Sequence, residues 1–390
     1  MTNKDYIYLD SAATTQPHPI ALDALLQAVN IYGNPSSMHH LGIEAEKMLN
    51  DARQTISNIL CAKPREIIFT AGATEANNMA LFSSAKKHKG MRIITTLAEH
   101  SSILKALSHL THLGFEIYYT KLDSQGKVDI AELSQALKTP TCLVCFHHIN
   151  NHTGIIQDIT KLGSLIKSQS PDTLFLVDAA QSFCKTAIDV NANNIDFLSL
   201  SGHKIGCIKG VGALYVKNGI LSPRLFGGGQ EFGLRSGTEN TPAIACLAAI
   251  AKYRQANIDN AWHHTLNLKK TFLTLIKHNT GVVENINQDI ENISPYILSI
   301  SLEDIRSEVM LNSLSAKGLY ISAGSACSSK NKAKSVQYAL LGSSIEAYRT
   351  DSSLRISFSA ENTISEIEQA ANIFNNELII LKGHKRYRQR

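Results

Sequence analysis

The chain has 390 residues, 44% of them hydrophobic and 18% charged, which excludes disordered, coiled-coil and collagen-like chains and leaves room for two or three domains or one large one. The net charge of +5 is matched by five basic residues among the last nine (Lys382, Lys385, Arg386, Arg388 and Arg390), so the rest is balanced and direct nucleic-acid binding is not expected. Seven scattered cysteines suggest no disulfide framework, no apolar run reaches the roughly 20 residues of a bilayer span, and MTNKDYIYLD lacks a secretory core, so a cytoplasmic protein without membrane contact is expected.

In chain order, EAEKMLNDARQTISNIL comes first as an amphipathic helix, with Met48, Leu49, Ala52, Ile56 and Leu60 on one face. REIIFTAG, RIITTL, TCLVCFHHI, TLFLVDAA, DFLSLS and GALYV read as strands alternating with helical stretches. That pattern predicts an α/β fold with a mostly parallel sheet covered by helices. Cys142 and Cys145 lie three apart in the apolar TCLVCF, so they are expected on opposite strand faces as core residues, not as a redox pair or zinc half-site. From Pro242 to Lys277 the chain reads as helix and contains Trp262, the only tryptophan. ISPYILSISL, a helical EVMLNSLSAKG, a loop around Cys327, the strand-like SLRISFS and a final helix TISEIEQAANIFNNELIILKG follow, before a basic tail that reads as frayed. These later elements form an α+β module of their own, which places a domain change near residue 260.

Four polar signals leave the ends of predicted strands, where open α/β sheets bind ligands. Thr70-Ala71-Gly72-Ala73-Thr74-Glu75 joins a strand to a helix with small residues, a backbone that can approach an anion; an ordinary helix start would look similar. Glu99-His100 offers a ring that could stack on a flat cofactor or act as acid or base, or serve structure alone. Asp178 ends an apolar run in FLVDAAQS, where a carboxylate needs a cationic partner unless it only caps a helix. Ser201, His203 and Lys204 leave a strand together in LSLSGHK, and desolvation would make that lysine a Schiff-base candidate. Together these are the parts pyridoxal phosphate needs: a phosphate cradle, a carboxylate for the ring nitrogen, a lysine and a flat-faced histidine. Cys327 stands apart from the other cysteines, because SAGSACSS is small and polar.

With YLDSAATT, GNPSSMH, FTAGATEANN, AEHSSI, the Asn150-Asn151 pair, VDAAQS, SGHK, KGVGALYV, GGGQE-x-GLRSGTEN, SAGSACSS and LRISFS in this order, the chain resembles the cysteine desulfurases over nearly its whole length. These are pyridoxal-phosphate enzymes of fold type I in the class V aminotransferase group, and SAGSAC resembles their NifS/IscS branch. The resemblance implies a large cofactor-binding domain over 15–260 and a small domain over 1–14 and 261–390. It implies that Lys204 holds the cofactor, Asp178 pairs with its ring nitrogen, Gln181 contacts the ring hydroxyl and His100 stacks on the ring. Ala73, Thr74, Ser201 and His203 would hold the phosphate, and Thr238 would reach the phosphate of the other subunit in a homodimer. Asn151, beside the cofactor, and Arg355 would bind the carboxylate of L-cysteine. Cys327 would take the sulfur as a persulfide, release L-alanine and deliver the sulfur to a protein acceptor, in iron–sulfur cluster assembly or tRNA thiolation. No metal is implied.

The chain departs from the family pattern at His152, where a glutamate is usual, and at Gly206-Cys207-Ile208, where a glycine–proline turn is usual. Ala360 replaces a frequent arginine, and KNKAKS after the cysteine is more basic than usual. The change after Lys204 suggests an altered backbone beside the cofactor. A selenocysteine lyase, another class V aminotransferase, and a divergent low-activity paralogue that binds cofactor and partners remain the alternatives.

Overall fold

Strands that are apolar on both sides need cover on both, and the residue pattern shows how this chain supplies it. The computed structural model describes residues 6–87, 91–217, 219–286, 293–323, 349 and 351–388. The first half runs β1 (Ile7–Tyr8), α1 (Pro19–Val29), α2 (His40–Leu60), β2 (Ile67–Thr70), α3 (Ala73–Lys87), β3 (Arg92–Thr95), α4 (Ser101–His112) and β4 (Glu116–Tyr119). It continues with α5 (Ile130–Ala136), β5 (Thr141–His147), α6 (Ile159–Gln169), β6 (Leu174–Asp178), β7 (Phe197–Ser201), β8 (Gly212–Val216) and α7 (Thr241–Ala256). The rest comprises α8 (Ile258–Lys277), β9 (Val282–Glu284), β10 (Ile297–Leu302), α9 (Ser307–Ala316), β11 (Leu319–Tyr320), β12 (Ser322–Ala323), β13 (Ser353–Ser357) and α10 (Ile364–Arg388).

Seven strands form one sheet in the order β2-β8-β7-β6-β5-β3-β4, and only β8 runs against the others. The period-2 alternation sorts its side chains between two cores. Phe69, Val144, Phe146, Ala213 and Tyr215 join α2, α6 and α7 on one face, while Ile68, Leu143, Cys145, Leu214 and Val216 join α3 and α4 on the other. The parallel strands therefore end along one edge, which carries Thr70, Thr95, His147, Asp178 and Ser201.

A second, antiparallel sheet has the order β12-β13-β10-β9 and its own core, in which Leu298, Ile300, Leu354 and Ile356 meet Phe272 of α8, Met310 of α9 and Phe374 of α10. Ile7 and Leu9 from the start of the chain pack into this second core.

Several expectations change. The stretch from Pro242 to Lys277 is two helices. At Asn257 the backbone leaves helical geometry, and this side chain donates to the Tyr253 carbonyl at 2.8 Å, so α7 serves the first core and α8 the second. Cys142 and Cys145 are buried, but both border the α3–α4 core, because the β3–β5 register shifts beside Cys142 and breaks strict alternation. The terminal helix runs on through Lys382 and Lys385 to Arg388 instead of fraying. Glu116–Tyr119 was not anticipated as a strand; it is a four-residue edge strand with no buried position, so it lacks the apolar run that marks the others. Among the described residues no helix is long and apolar enough to cross a membrane.

Candidate active site

The strand ends open into one cleft of about 1850 Å³. It brings together Ala73, Thr74, His100, Asn151, Asp178, Gln181, Ser201, His203, Lys204 and Arg355, which lie far apart in sequence. Thr238 is exposed and does not line this cleft. Cys327 lies outside the described residues.

At one end, β2 turns through Gly72 into the N-terminus of α3, so that Ala73 and Thr74 stand at a positive helix end whose first N–H groups have no intrahelical acceptor. Gly212 of β8 lies directly beneath: a Cβ there would come within 2.7 Å of the Gly72 Cα and 2.4 Å of the Leu200 carbonyl oxygen. The second glycine in KGVGALYV is therefore what lets the turn descend onto the sheet. Ser201 and His203 enter from the end of β7. The His203 ring lies 3.1 Å from the Thr14 hydroxyl, and burial with neighbouring lysines pulls its pKa down to about 4, so it is neutral near pH 7. Glu75, in the first turn of α3, is balanced by Arg235 at 2.8 Å.

In the middle, Asp178 is 6% exposed. It accepts from Asn77 Nδ2 at 2.9 Å and from the Ala180 N–H at 2.9 Å. Among the described residues no cation lies within ion-pair distance of it. A buried carboxylate held only by neutral donors suits a positively charged group entering from the cleft, such as a protonated ring nitrogen. Asn77 is a site residue that sequence reasoning missed; FTAGATEANN contains it, but only the packing of α3 over β6 shows that it reaches Asp178.

Above, His100 caps α4: its Nδ1 accepts the Ser102 N–H at 3.1 Å. Nδ1 thus holds a lone pair, and the neutral ring carries its proton on Nε2. Burial lowers its pKa. Below it, buried Glu99 accepts from Thr96 and from the backbone and ring of His147, which fixes the turn that presents His100.

Lys204 donates to the carbonyls of Ala12 and Ala13 at 2.6 and 2.7 Å. Burial, with Arg355 nearby, lowers its pKa from the ordinary 10.5 to about 8, so a useful fraction is neutral amine near physiological pH. The backbone after it is held despite the missing glycine–proline pair. Ile205 and Cys207 donate to the Gly202 carbonyl, Gly206 takes φ +98°, and the buried Cys207 packs against Cys246.

At the far end, Arg355 of β13 donates to the Asn151 carbonyl at 3.0 Å, to Asp10 at 2.9 Å and to Ser322 at 3.2 Å. His152 sits beside it, and burial together with Arg355 lowers its pKa to about 3, so the position of the usual glutamate carries no charge. The tether to Asp10 was invisible to pattern reading, because 345 residues separate the partners.

Residues 7–370 match the aminotransferase class-V family. The chain is 37% identical over 376 residues to a cysteine desulfurase IscS from Vibrio cholerae, covering 94% of this chain and 91% of that protein. It is also 37% identical over 370 residues to a putative cysteine desulfurase, IscS 1, from Bacillus subtilis, covering 94% and 96%. A solved structure of a NifS-like protein superposes with a TM-score of 0.90 at 31% identity, covering 96% of this chain and all of that one.

Proposed function

The chain belongs to the class-V aminotransferase family, and we propose that it acts as a pyridoxal-phosphate-dependent cysteine desulfurase, converting L-cysteine to L-alanine. The observation that carries this reading is the convergence of Lys204, Asp178, His100, Gln181 and the Ala73–Thr74 turn on one cleft. The residues fit the cofactor: buried Asp178, with no cation within ion-pair distance among the described residues, would pair with its ring nitrogen, and the turn seated on Gly212 would offer helix N-terminal N–H groups to its phosphate, with Ser201 and His203. Gln181 would meet the ring hydroxyl, Asn151 would adjoin the cofactor and His100 would cover its face. When bound, pyridoxal phosphate supplies an electron sink for negative charge on the substrate's α-carbon.

The chain's own residues then divide the work. Arg355, oriented by Asp10 and the Asn151 carbonyl, binds the substrate carboxylate. Lys204, released from its two carbonyl partners, moves the α-proton as a base near neutral pH. His100 excludes water from one face and carries a proton on Nε2. Cys327, as thiolate, attacks the substrate sulfur; the carbon–sulfur bond breaks, the persulfide stays on Cys327, and the carbon skeleton leaves as alanine after protonation. A protein acceptor then takes the sulfur.

We place the domain division at residue 260, with 15–260 around the seven-stranded sheet and 1–14 with 261–390 around the four-stranded sheet; the separate hydrophobic cores support it. A homodimer, working in the cytoplasm, completes the reading. It is supported by the exposed stripe Leu22, Leu26 and Val29 along α1 and by Thr238, which is exposed and does not line its own cleft. The test is the purified protein's visible spectrum combined with alanine and sulfide production from L-cysteine. A protein that cannot be loaded with pyridoxal phosphate, or that is loaded and releases no alanine, overturns the proposal.

A further inference from the structure

Lys185 follows VDAAQS and is 8% exposed, yet among the described residues no carboxylate lies within ion-pair distance of it. Leaving an amine buried without a counter-ion is unfavourable unless its donors hold something. Its Nζ lies 5.2 Å from the centroid of the Tyr296 ring and donates to Gln181 Oε1 at 3.3 Å. Nζ carries N–H donors in either protonation state, and the Gln181 oxygen accepts from one of them. The amide nitrogen then faces the other way, donates to the Ala12 carbonyl at 2.8 Å, and keeps a second N–H. Lys204 donates to that same carbonyl at 2.6 Å. Lys185, Gln181, Ala12 and Lys204 thus form one continuous hydrogen-bonded line from the buried interior to the cleft.

We propose that Lys185 is a positioning residue: together with the Ala12 carbonyl, it holds the Gln181 amide in the orientation that aims its second N–H at the cofactor's ring oxygen. This rests on the pyridoxal-phosphate reading above. With Lys185 gone, the amide keeps its bond to the Ala12 carbonyl but loses the contact that holds its oxygen, so it is free to swing about that bond and carry its second N–H off the ring oxygen. Losing one hydrogen bond to the ring oxygen is expected to weaken cofactor binding about tenfold.

The experiment is a double-mutant cycle on the full-length protein, read by pyridoxal phosphate titration of the apoprotein and by the absorption maximum of the bound cofactor. Lys185→Met is expected to weaken binding about tenfold and to displace the maximum in the same direction as Gln181→Ala. The double variant is expected to be no worse than Gln181→Ala, because one residue acts through the other. Lys185→Arg keeps a donor and should retain the native maximum; it decides the question alone if Lys185→Met does not fold. Native affinity and spectrum in Lys185→Met, fully multiplicative losses in the double variant, or a folded Lys185→Arg with a displaced maximum would each overturn the proposal. A wild-type protein that takes up no pyridoxal phosphate removes the underlying reading instead, so the two failures are distinguishable.

Discussion

Replacing Glu231 by Gln tests whether a buried ion pair holds the floor of the phosphate-binding end together. Arg53 of α2 and Glu231 are paired in a two-pronged contact at 2.7 and 2.8 Å, with side-chain exposures of 5% and 2%. Glu231 also accepts the Phe69 N–H of β2 at 2.8 Å, and Arg53 donates to the Ile67 carbonyl. The guanidinium lies between the Phe69 and Phe232 rings, 4.9 and 4.8 Å from their centroids. The pair therefore ties α2, β2 and the loop that carries Arg235 to Glu75 at the start of α3. Both Glu231 and Phe232 adopt positive φ, so the loop is bent to bring the carboxylate there. Glutamine keeps the shape, removes the charge and leaves Arg53 buried without an anion. Breaking a buried pair by removing one partner costs about 3–5 kcal/mol, whereas an exposed pair contributes about 0–1 kcal/mol. Lys47–Asp51, at 76% and 67% exposure, is the internal control. Guanidinium unfolding followed by circular dichroism and tryptophan fluorescence should show a large loss for Glu231→Gln and almost none for Asp51→Asn. Replacing both partners with apolar residues, Arg53→Met with Glu231→Leu, should recover part of the loss, because no charge is then stranded. Equal stability of wild type and Glu231→Gln would refute the reasoning.

Lys204 is half protonated at about pH 8, so the rate at which added pyridoxal phosphate condenses with it in the apoprotein should climb with pH and level off a unit or so above that; a rate still climbing to pH 10 would contradict the lowered pKa, and borohydride-fixed label on another lysine would refute the site. Cys327→Ser should abolish alanine formation from L-cysteine while leaving cofactor affinity unchanged, and normal turnover in that variant would remove Cys327 as the nucleophile. Leu26→Glu with Val29→Glu should shift sedimentation at micromolar protein from dimer to monomer and weaken cofactor binding with it, since Thr238 would lose the neighbouring site; a wild-type monomer that binds the cofactor tightly would refute the dimer.

The local parts were legible from the residues alone. The apolar runs ending in Asp178 and Ser201 announced strands, because a chain buried on both faces must be apolar throughout, and the polar residues just after them announced the functional edge. Motif order carried the rest: Lys204, His100 and Arg355 could be named as a set before any contact was known. Tertiary structure alone decided which of these residues meet and in what state. Asn77 holding Asp178, Asp10 holding Arg355, and the Ala12 carbonyl shared by Gln181 and Lys204 are pairings across 101, 345 and 192 residues, and a one-dimensional pattern has no period at such separations. The break at Asn257 was hidden for a related reason: α7 and α8 are each good helices, and what divides them is that their apolar faces belong to different cores. The lowered pKa of Lys204 and the neutrality of His152 likewise follow from burial and from Arg355 arriving on β13, and burial is a property of the folded chain, set by which surfaces close over each group and not by the residues beside it in sequence.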